Sequence, residues 1–82
     1  MENKLRQRLK LSVVKFSFKK KNGETRYATG STNIDMLNIV FGLNLKSFKE
    51  ETNRDGITTY YDIEKRNWRS LRDESLIEII NN

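Results

Sequence analysis

The sequence contains no cysteine, no histidine and no proline, and it has four glycines in 82 residues. Without cysteine no disulfide can form, and without cysteine and histidine the usual ligands of zinc and transition metals are missing. Nucleophilic catalysis has no thiolate and no histidine base. The glycines are isolated, so no glycine-rich loop can cradle phosphates. We therefore expect a binding protein, not an enzyme, with no metal and no cofactor.

Long apolar runs are also missing, because no stretch approaches the roughly 18 residues of a membrane span. The basic N-terminus alternates polar and apolar residues and lacks the core of a signal peptide. A chain of 82 residues is one domain, residues 1–82, whose hydrophobic content is 35%. These features predict a cytoplasmic protein with a thin core and no membrane partner.

Positive charge is what the sequence has in excess, and it is unevenly distributed. Lysine and arginine number 16 against 11 acidic residues, for a net charge of +5. Residues 1–31 carry +7, residues 32–63 carry −2 and residues 64–82 are balanced. A basic end of this kind can steer a polyanion, although solubilising charge is an equal alternative.

The N-terminal residues 2–11 predict a short amphipathic helix or arm, with Leu5, Leu9 and Leu11 covering one end of the core. Residues 12–31 predict a β-hairpin in which Val14, Phe16 and Phe18 face inward. Asn22-Gly23 is typical of a two-residue type I′ turn. That turn would place Phe18 opposite Tyr27 and Lys19 opposite Arg26.

Like charges on opposed strands are mildly destabilising, so the lysine cluster of this hairpin needs an explanation. One interpretation is a strip that binds a polyanion. The alternative is that lysines on an edge deter aggregation between sheets. For the cluster as a whole we favour the strip.

A helix is predicted at about 33–41, capped by Thr32 or Asn33 and ended by Gly42. Its apolar residues Ile34, Leu37 and Phe41, widened by Met36 and Val40, should plug an open end of a barrel. A partner-binding face is the alternative. Residues 43–56 predict a long loop or weak strand whose first part packs down.

A second β unit follows. Ile57, Thr59, Tyr61 and Ile63 should face inward, and a turn centred on Lys65-Arg66 would pair Ile63 with Trp68 and Asp62 with Arg69. That register leaves Leu71 outward, which suggests a bulge. The last strand is predicted at Leu76–Ile80, with Ile77 and Ile79 on one face.

Two segments resemble a known family. Val13–Gly23, followed by Thr25-Arg26 and Ala28-Thr29, resembles a strand, a lysine-rich K-(N/D)-G turn and an R…AT return strand. Tyr61–Lys65 and Trp68–Arg72 resemble the pattern YD(V/I)E…WRS(F/L)R. Both patterns are those of the small WYL-like domains with an Sm-like (Src-homology-3-like) β-barrel, which are common in bacteriophages and their hosts. The resemblance spans about residues 12–80.

The resemblance implies a mainly β fold, a strongly bent barrel of about five strands over 12–80. A short N-terminal helix (1–11) and the helix at about 33–41 would be added to it. It also implies a phage or mobile-element origin, with nucleic-acid or ligand binding inferred from the barrel. The insert Ile34–Gly56 departs from the family, where a proline-containing linker is expected. Positions that match a shared site would be Arg26, Asp62, Trp68, Arg69 and Arg72.

Basic and aromatic residues of the two hairpins together predict a nucleic-acid site. Its members are Lys15, Lys19, Lys20, Lys21, Arg26, Arg66, Trp68, Arg69 and Arg72. For Trp68 the alternative is a place in the core, with Arg69 paired to Asp62. A protein partner or self-association, through the helix at 34–41 and the acidic 50–55 loop, is the alternative function.

Overall fold

The computed structural model describes residues 4–48 and 55–80. The helices are α1 (Lys4–Leu11), α2 (Ile34–Phe41) and a 3-10 helix (Asp73–Ser75), and the strands are β1 (Val14–Lys19), β2 (Thr25–Ser31), β3 (Ile57–Asp62), β4 (Asn67–Arg72) and β5 (Leu76–Ile79). The strands form one antiparallel sheet in the order β4-β3-β2-β1-β5. The predicted mainly β fold, with a short N-terminal helix and a second helix between strands, is confirmed.

Helix α1 covers one side of the core through Leu5 and Leu9, which are four residues apart and fully buried. Ser31 Oγ and the Thr32 N–H both donate to the Leu9 carbonyl, at 2.8 and 2.9 Å, and so satisfy one of the exposed carbonyls at the helix end. Leu11 is 76% exposed, so its predicted place over the core is wrong.

The Lys20 N–H donates to the Glu24 carbonyl at 2.8 Å, so the first hairpin closes on a three-residue loop, residues 21–23, and the predicted type I′ turn is wrong. The Gly23 N–H donates to the Lys20 carbonyl at 2.9 Å, and Gly23 takes a φ of 89°. Asn22 keeps a negative φ, and its side chain instead bonds Glu24, accepting from the backbone N–H at 3.1 Å. A type I turn followed by a left-handed glycine accommodates this arrangement.

One additional loop residue shifts the register of this hairpin by one position. Phe18 lies opposite Arg26, and Lys19 lies opposite Thr25. The predicted pairs Phe18–Tyr27 and Lys19–Arg26 are therefore wrong, and Tyr27 is 59% exposed. The consequence for function is that Arg26 moves to the core face of the sheet, beside Phe18.

The second hairpin has the opposite orientation to the one predicted. Thr58, Tyr60 and Asp62 face the core and are buried, so the inward set Ile57, Thr59, Tyr61 and Ile63 is wrong. Tyr61 is nevertheless buried on the other face, against Trp68, so both faces of β3 are covered. Because both faces carry buried side chains, the alternation of apolar residues could not show which face of β3 lies on the core.

A four-residue turn, residues 63–66, sets the register of the second hairpin. Tyr60 pairs with Arg69 and Asp62 with Asn67, two positions away from the predicted pairs. Asp62 Oδ1 accepts from the Lys65 N–H at 3.0 Å, which stabilises the turn. Leu71 lies opposite Thr58 and is buried, so no bulge is needed here.

The bulge of the sheet lies between β1 and β5. Leu76 pairs with Phe18 and Ile79 pairs with Phe16, while the register shifts between Ser17 and Phe18. Ile77 is the additional residue and is exposed, so its predicted alignment with Ile79 is wrong. The core contains Leu5, Leu9, Val14, Phe16, Ala28, Tyr60 and Leu71, with Phe18, Leu76 and Ile79 packed against it.

Helix α2 begins and ends as predicted, because Asn33 Oδ1 accepts from the Met36 N–H at 3.1 Å and Gly42 takes a φ of 65°. It buries Leu37, which is not a member of the core cluster, whereas Val40 and Phe41 of the predicted apolar face are exposed. Residues 43–48 are irregular, and most of the acidic 50–55 loop lies outside the described residues. In the described ranges no helix has the length and apolarity needed to cross a bilayer.

Candidate functional site

A groove of about 660 Å³ lies between the tip of the first hairpin and the end of the second hairpin that is opposite its turn. Its apolar lining is made of Phe18, Ile57, Tyr60 and Leu71. Glu74 is its one acidic residue among those described. Six basic residues surround this lining: Lys19, Lys20, Lys21, Arg26, Arg69 and Arg72. We call this feature the basic groove.

The registers of the two hairpins explain why two of the arginines reach the basic groove from the core face. Arg26 lies opposite Phe18, and Arg69 lies opposite Tyr60. Residues directly opposed in an antiparallel pair share a face of the sheet, so both side chains lie on the core face. The lysines come from the end of β1 and the loop that follows it.

Arg26 also neutralises a buried carboxylate. Its Nη2 atom lies 3.5 Å from Asp62 Oδ2, and the Asp62 side chain is almost completely buried. A buried carboxylate needs such a partner, because an unpaired charge in the interior is strongly destabilising. The predicted Asp62–Arg69 pair is wrong. Within residues 4–48 and 55–80 Arg69 forms no ion pair, so its guanidinium group is available to a ligand.

Tyr60 contributes a buried phenol to the same place. Its ring packs edge-on against Phe16, with 5.1 Å between the ring centroids. Burial first, and then the Asp62 carboxylate, raise the pKa of Tyr60 from 10.0 to about 12, against the opposing charges of Arg26 and Arg69. Tyr60 is therefore a neutral hydrogen-bond donor at any physiological pH.

The remaining charge pair of the basic groove is weak. Arg72 Nη1 lies 3.8 Å from Glu74 Oε1, and both side chains are largely exposed. Exposed pairs of this kind contribute about 0–1 kcal/mol and are screened by salt. Arg72 can therefore exchange Glu74 for an anionic ligand at little cost.

The structure brings together six of the nine predicted site residues, all of them in the basic groove, and separates the other three. Lys15 is exposed on the outer face of β1, and Arg66 lies in the second turn with a φ of 55°. Trp68 also lies on the outer face, stacked on Phe48 with 5.4 Å between ring centroids and an interplanar angle of 17°. It is half-buried there and does not belong to the core cluster, so its alternative placement in the core is also wrong.

Sequence reasoning missed a network that holds α1 against one wall of the basic groove. Arg6 Nε donates to Thr58 Oγ1 at 3.0 Å and Nη2 donates to the Ile57 carbonyl at 2.6 Å. Thr58 Oγ1 in turn donates to Asp73 Oδ1 at 2.6 Å. Asp73 directly follows Arg72 and precedes Glu74, so the network fixes the chain that carries both. In the sequence Arg6 is one of several basic residues near the N-terminus, and no local pattern distinguishes it from the others.

Comparison with known families identifies the fold. The family model described as WYL_2, Sm-like SH3 beta-barrel fold, matches residues 2–77. The chain belongs to the WYL_2 family. This confirms the resemblance that the two hairpin motifs predicted, and the five-stranded antiparallel sheet of the WYL_2 domain agrees with the barrel of the family description. No curated protein and no solved structure matches the chain.

Proposed function

We propose that this WYL_2 domain is a non-enzymatic module that binds nucleic acid in the basic groove. One observation carries the proposal: both hairpins contribute to a single groove whose lining, among the residues described, has six basic residues and one acidic residue. The charges are contributed by distant parts of the sequence and meet only in the folded sheet. Such a role suits a regulatory or accessory protein of a phage or mobile element.

The groove has the chemistry that a phosphate backbone requires. Lysines 19, 20 and 21 supply flexible point charges at its rim, and the arginines supply planar forks that match phosphate oxygens. Phe18 is half-buried in the lining and adds an aromatic surface among the cations. Basic grooves with aromatic residues are typical of proteins that bind single strands without strong sequence preference.

The test is a titration of fluorescently labelled single-stranded and double-stranded oligonucleotides, followed by anisotropy at several salt concentrations. Affinity should fall steeply with salt, with a slope of about 0.9 per phosphate contact on duplex DNA and about 0.7 on a single strand. The double variant Lys20→Gln/Arg69→Gln should bind about tenfold or more weakly and show a slope lower by about one to two.

The matched control is Lys4→Gln/Lys46→Gln, which removes the same charge from exposed positions outside the basic groove. It should retain most of the affinity. An affinity that does not change with salt, or an equal loss in both double variants, would contradict the proposal.

A second candidate function is protein interaction, which the exposed apolar end of α2 favours. Ile39 is 82% exposed, and Val40 and Phe41 beside it are also exposed. The test is light scattering of the wild type and of Ile39→Glu, together with a pulldown from host lysate before and after nuclease treatment. A defined oligomer that Ile39→Glu disrupts, or a protein partner that survives nuclease, would support this candidate. If the protein is monomeric and nuclease treatment empties the pulldown, this second candidate is refuted and nucleic acid remains the proposed partner.

A further inference from the structure

One side-chain polar atom within the described residues is buried without a hydrogen-bond partner, the hydroxyl of Tyr60. A buried hydroxyl without a partner is destabilising, and native proteins retain few of them. Packing explains why the ring is here, because it contacts Phe16 and lies against Gly30. Phenylalanine would satisfy that packing equally well, so the hydroxyl itself needs a reason.

The hydroxyl belongs to a residue that lines the basic groove beside two guanidinium groups. Arg69 is the cross-strand partner of Tyr60 and lines the same groove. Arg26 lines it too, and reaches Asp62, which lies two residues along the same face of β3. Asp62 is already paired with Arg26 and accepts a hydrogen bond from the Lys65 N–H, and Arg69 has no ion-pair partner among the residues that the structure describes.

We propose that Tyr60, Arg69 and Arg26 form a subsite in the basic groove that binds one phosphate group. The phenol donates one hydrogen bond to a phosphate oxygen, Arg69 supplies a fork and the balancing charge, and Arg26 adds its remaining donors. This subsite rests on the proposed function, since nucleic acid is the ligand that brings phosphate groups to the groove. Both a terminal monoester and an internal diester of the backbone have the required chemistry.

The phenol differs from the lysines in a way that an experiment can detect. It carries no charge, so its removal should weaken binding without changing the number of counterions released. Tyr60→Phe should therefore bind an oligonucleotide about tenfold more weakly, the size expected for one hydrogen bond to a charged group, with the salt slope unchanged. Arg69→Lys should lose affinity too, because a fork is replaced by a point charge while the net charge is preserved.

The matched control is Tyr61→Phe, which deletes the same atom from the adjacent tyrosine on the opposite face of β3. Anisotropy should be measured with one oligonucleotide with and without a 5′ phosphate. A loss in Tyr60→Phe confined to the phosphorylated probe identifies the terminal monoester, and an equal loss on both probes identifies the diester. If Tyr60→Phe binds both probes as tightly as Tyr61→Phe, the subsite is refuted while the proposed function stands.

A wild type that binds neither oligonucleotide would refute the proposed function instead. The subsite is then tested with pyrophosphate, by heteronuclear NMR of the wild type and Tyr60→Phe. Wild-type shifts at Tyr60, Arg26 and Arg69 that weaken in Tyr60→Phe would support a subsite for free phosphate compounds. No shift at these residues would overturn it. Because Tyr60→Phe keeps the ring and removes a buried hydroxyl without a partner, its thermal unfolding midpoint should not fall below that of the wild type.

Discussion

Gly30 lies where β2 and β3 approach too closely for any side chain. A Cβ atom at this position would be 2.4 Å from the Tyr61 carbonyl oxygen and 2.7 Å from Tyr60 Cδ2. Neither neighbour can move freely, since one is backbone and the other is a buried ring. We expect Gly30→Ala to lower the free energy of unfolding by about 1–3 kcal/mol, measured by urea denaturation. Gly23→Asn is the matched control, because Gly23 has open space around it and asparagine tolerates a positive φ. Equal stability of the two variants would contradict this account.

Tyr60 should make the stability of the domain sensitive to alkaline pH. Its pKa is raised from 10.0 to about 12 in the folded state, mainly by burial. The unfolded chain therefore releases this proton first, so ionisation of Tyr60 does not affect the stability below about pH 10 and lowers it as the pH rises towards 12. The loss should approach about 1.4 kcal/mol per pH unit.

Urea denaturation of the wild type and of Tyr60→Phe, at about pH 9 and about pH 11, isolates this contribution, since all other titrating groups are common to both. The wild type should lose more stability between the two values. An identical loss in the two proteins would show that Tyr60 titrates normally.

At the scale of elements, Arg6 adds a polar attachment of α1 to β3 and to the 3-10 helix, beside the buried leucines and the hydrogen bonds to the Leu9 carbonyl. Arg6 donates to Thr58 Oγ1 and to the Ile57 carbonyl, and its Nη2 atom lies 3.6 Å from Asp73 Oδ2. Hydrogen bonds to a charged group contribute about 1.5–3 kcal/mol. Arg6→Gln should therefore reduce the free energy of unfolding by about that amount, whereas Lys4→Gln, on the same helix but exposed, should change it by less than about 0.5 kcal/mol. Equal effects would mean that the hydrogen bonds of Arg6 add nothing to the attachment of α1.

Elements with their own local signals could be predicted from the sequence. The leucine spacing predicted α1, and Asn33 and Gly42 predicted both ends of α2. Hairpin registers could not be predicted, because they depend on turn geometry and not on the strands. Asn22 has two options, positive φ in a type I′ turn or a side-chain bond to Glu24, and it takes the second. That choice moved the register by one residue and placed Arg26 on the core face.

The orientation of β3 shows a limit of pattern analysis at the scale of the whole molecule. Its alternating apolar side chains predicted the wrong face, because Tyr61 is covered by Trp68 while the core face carries Thr58, Tyr60 and Asp62. Each of these polar groups except the Tyr60 hydroxyl has a partner from a distant segment, which no local window contains. The clustered charges predicted that cations of the two hairpins converge. Only the folded sheet shows that Arg26 and Arg69 lie on its core face and that Trp68 lies outside the groove.

The electrostatic field of the basic groove leads to a last prediction, on Glu74. It is the one acidic residue that lines the groove in the described chain, and its pair with Arg72 is exposed and 3.8 Å long. Glu74→Gln should leave the unfolding midpoint nearly unchanged, because exposed pairs contribute little. It should strengthen oligonucleotide binding by about two- to fivefold at low salt, with the gain fading as salt screens the groove. Glu64→Gln in the second turn, outside the groove, is the matched control for the charge removed. If the two variants gain equally, net charge alone attracts the polymer, and the basic groove is not where it binds.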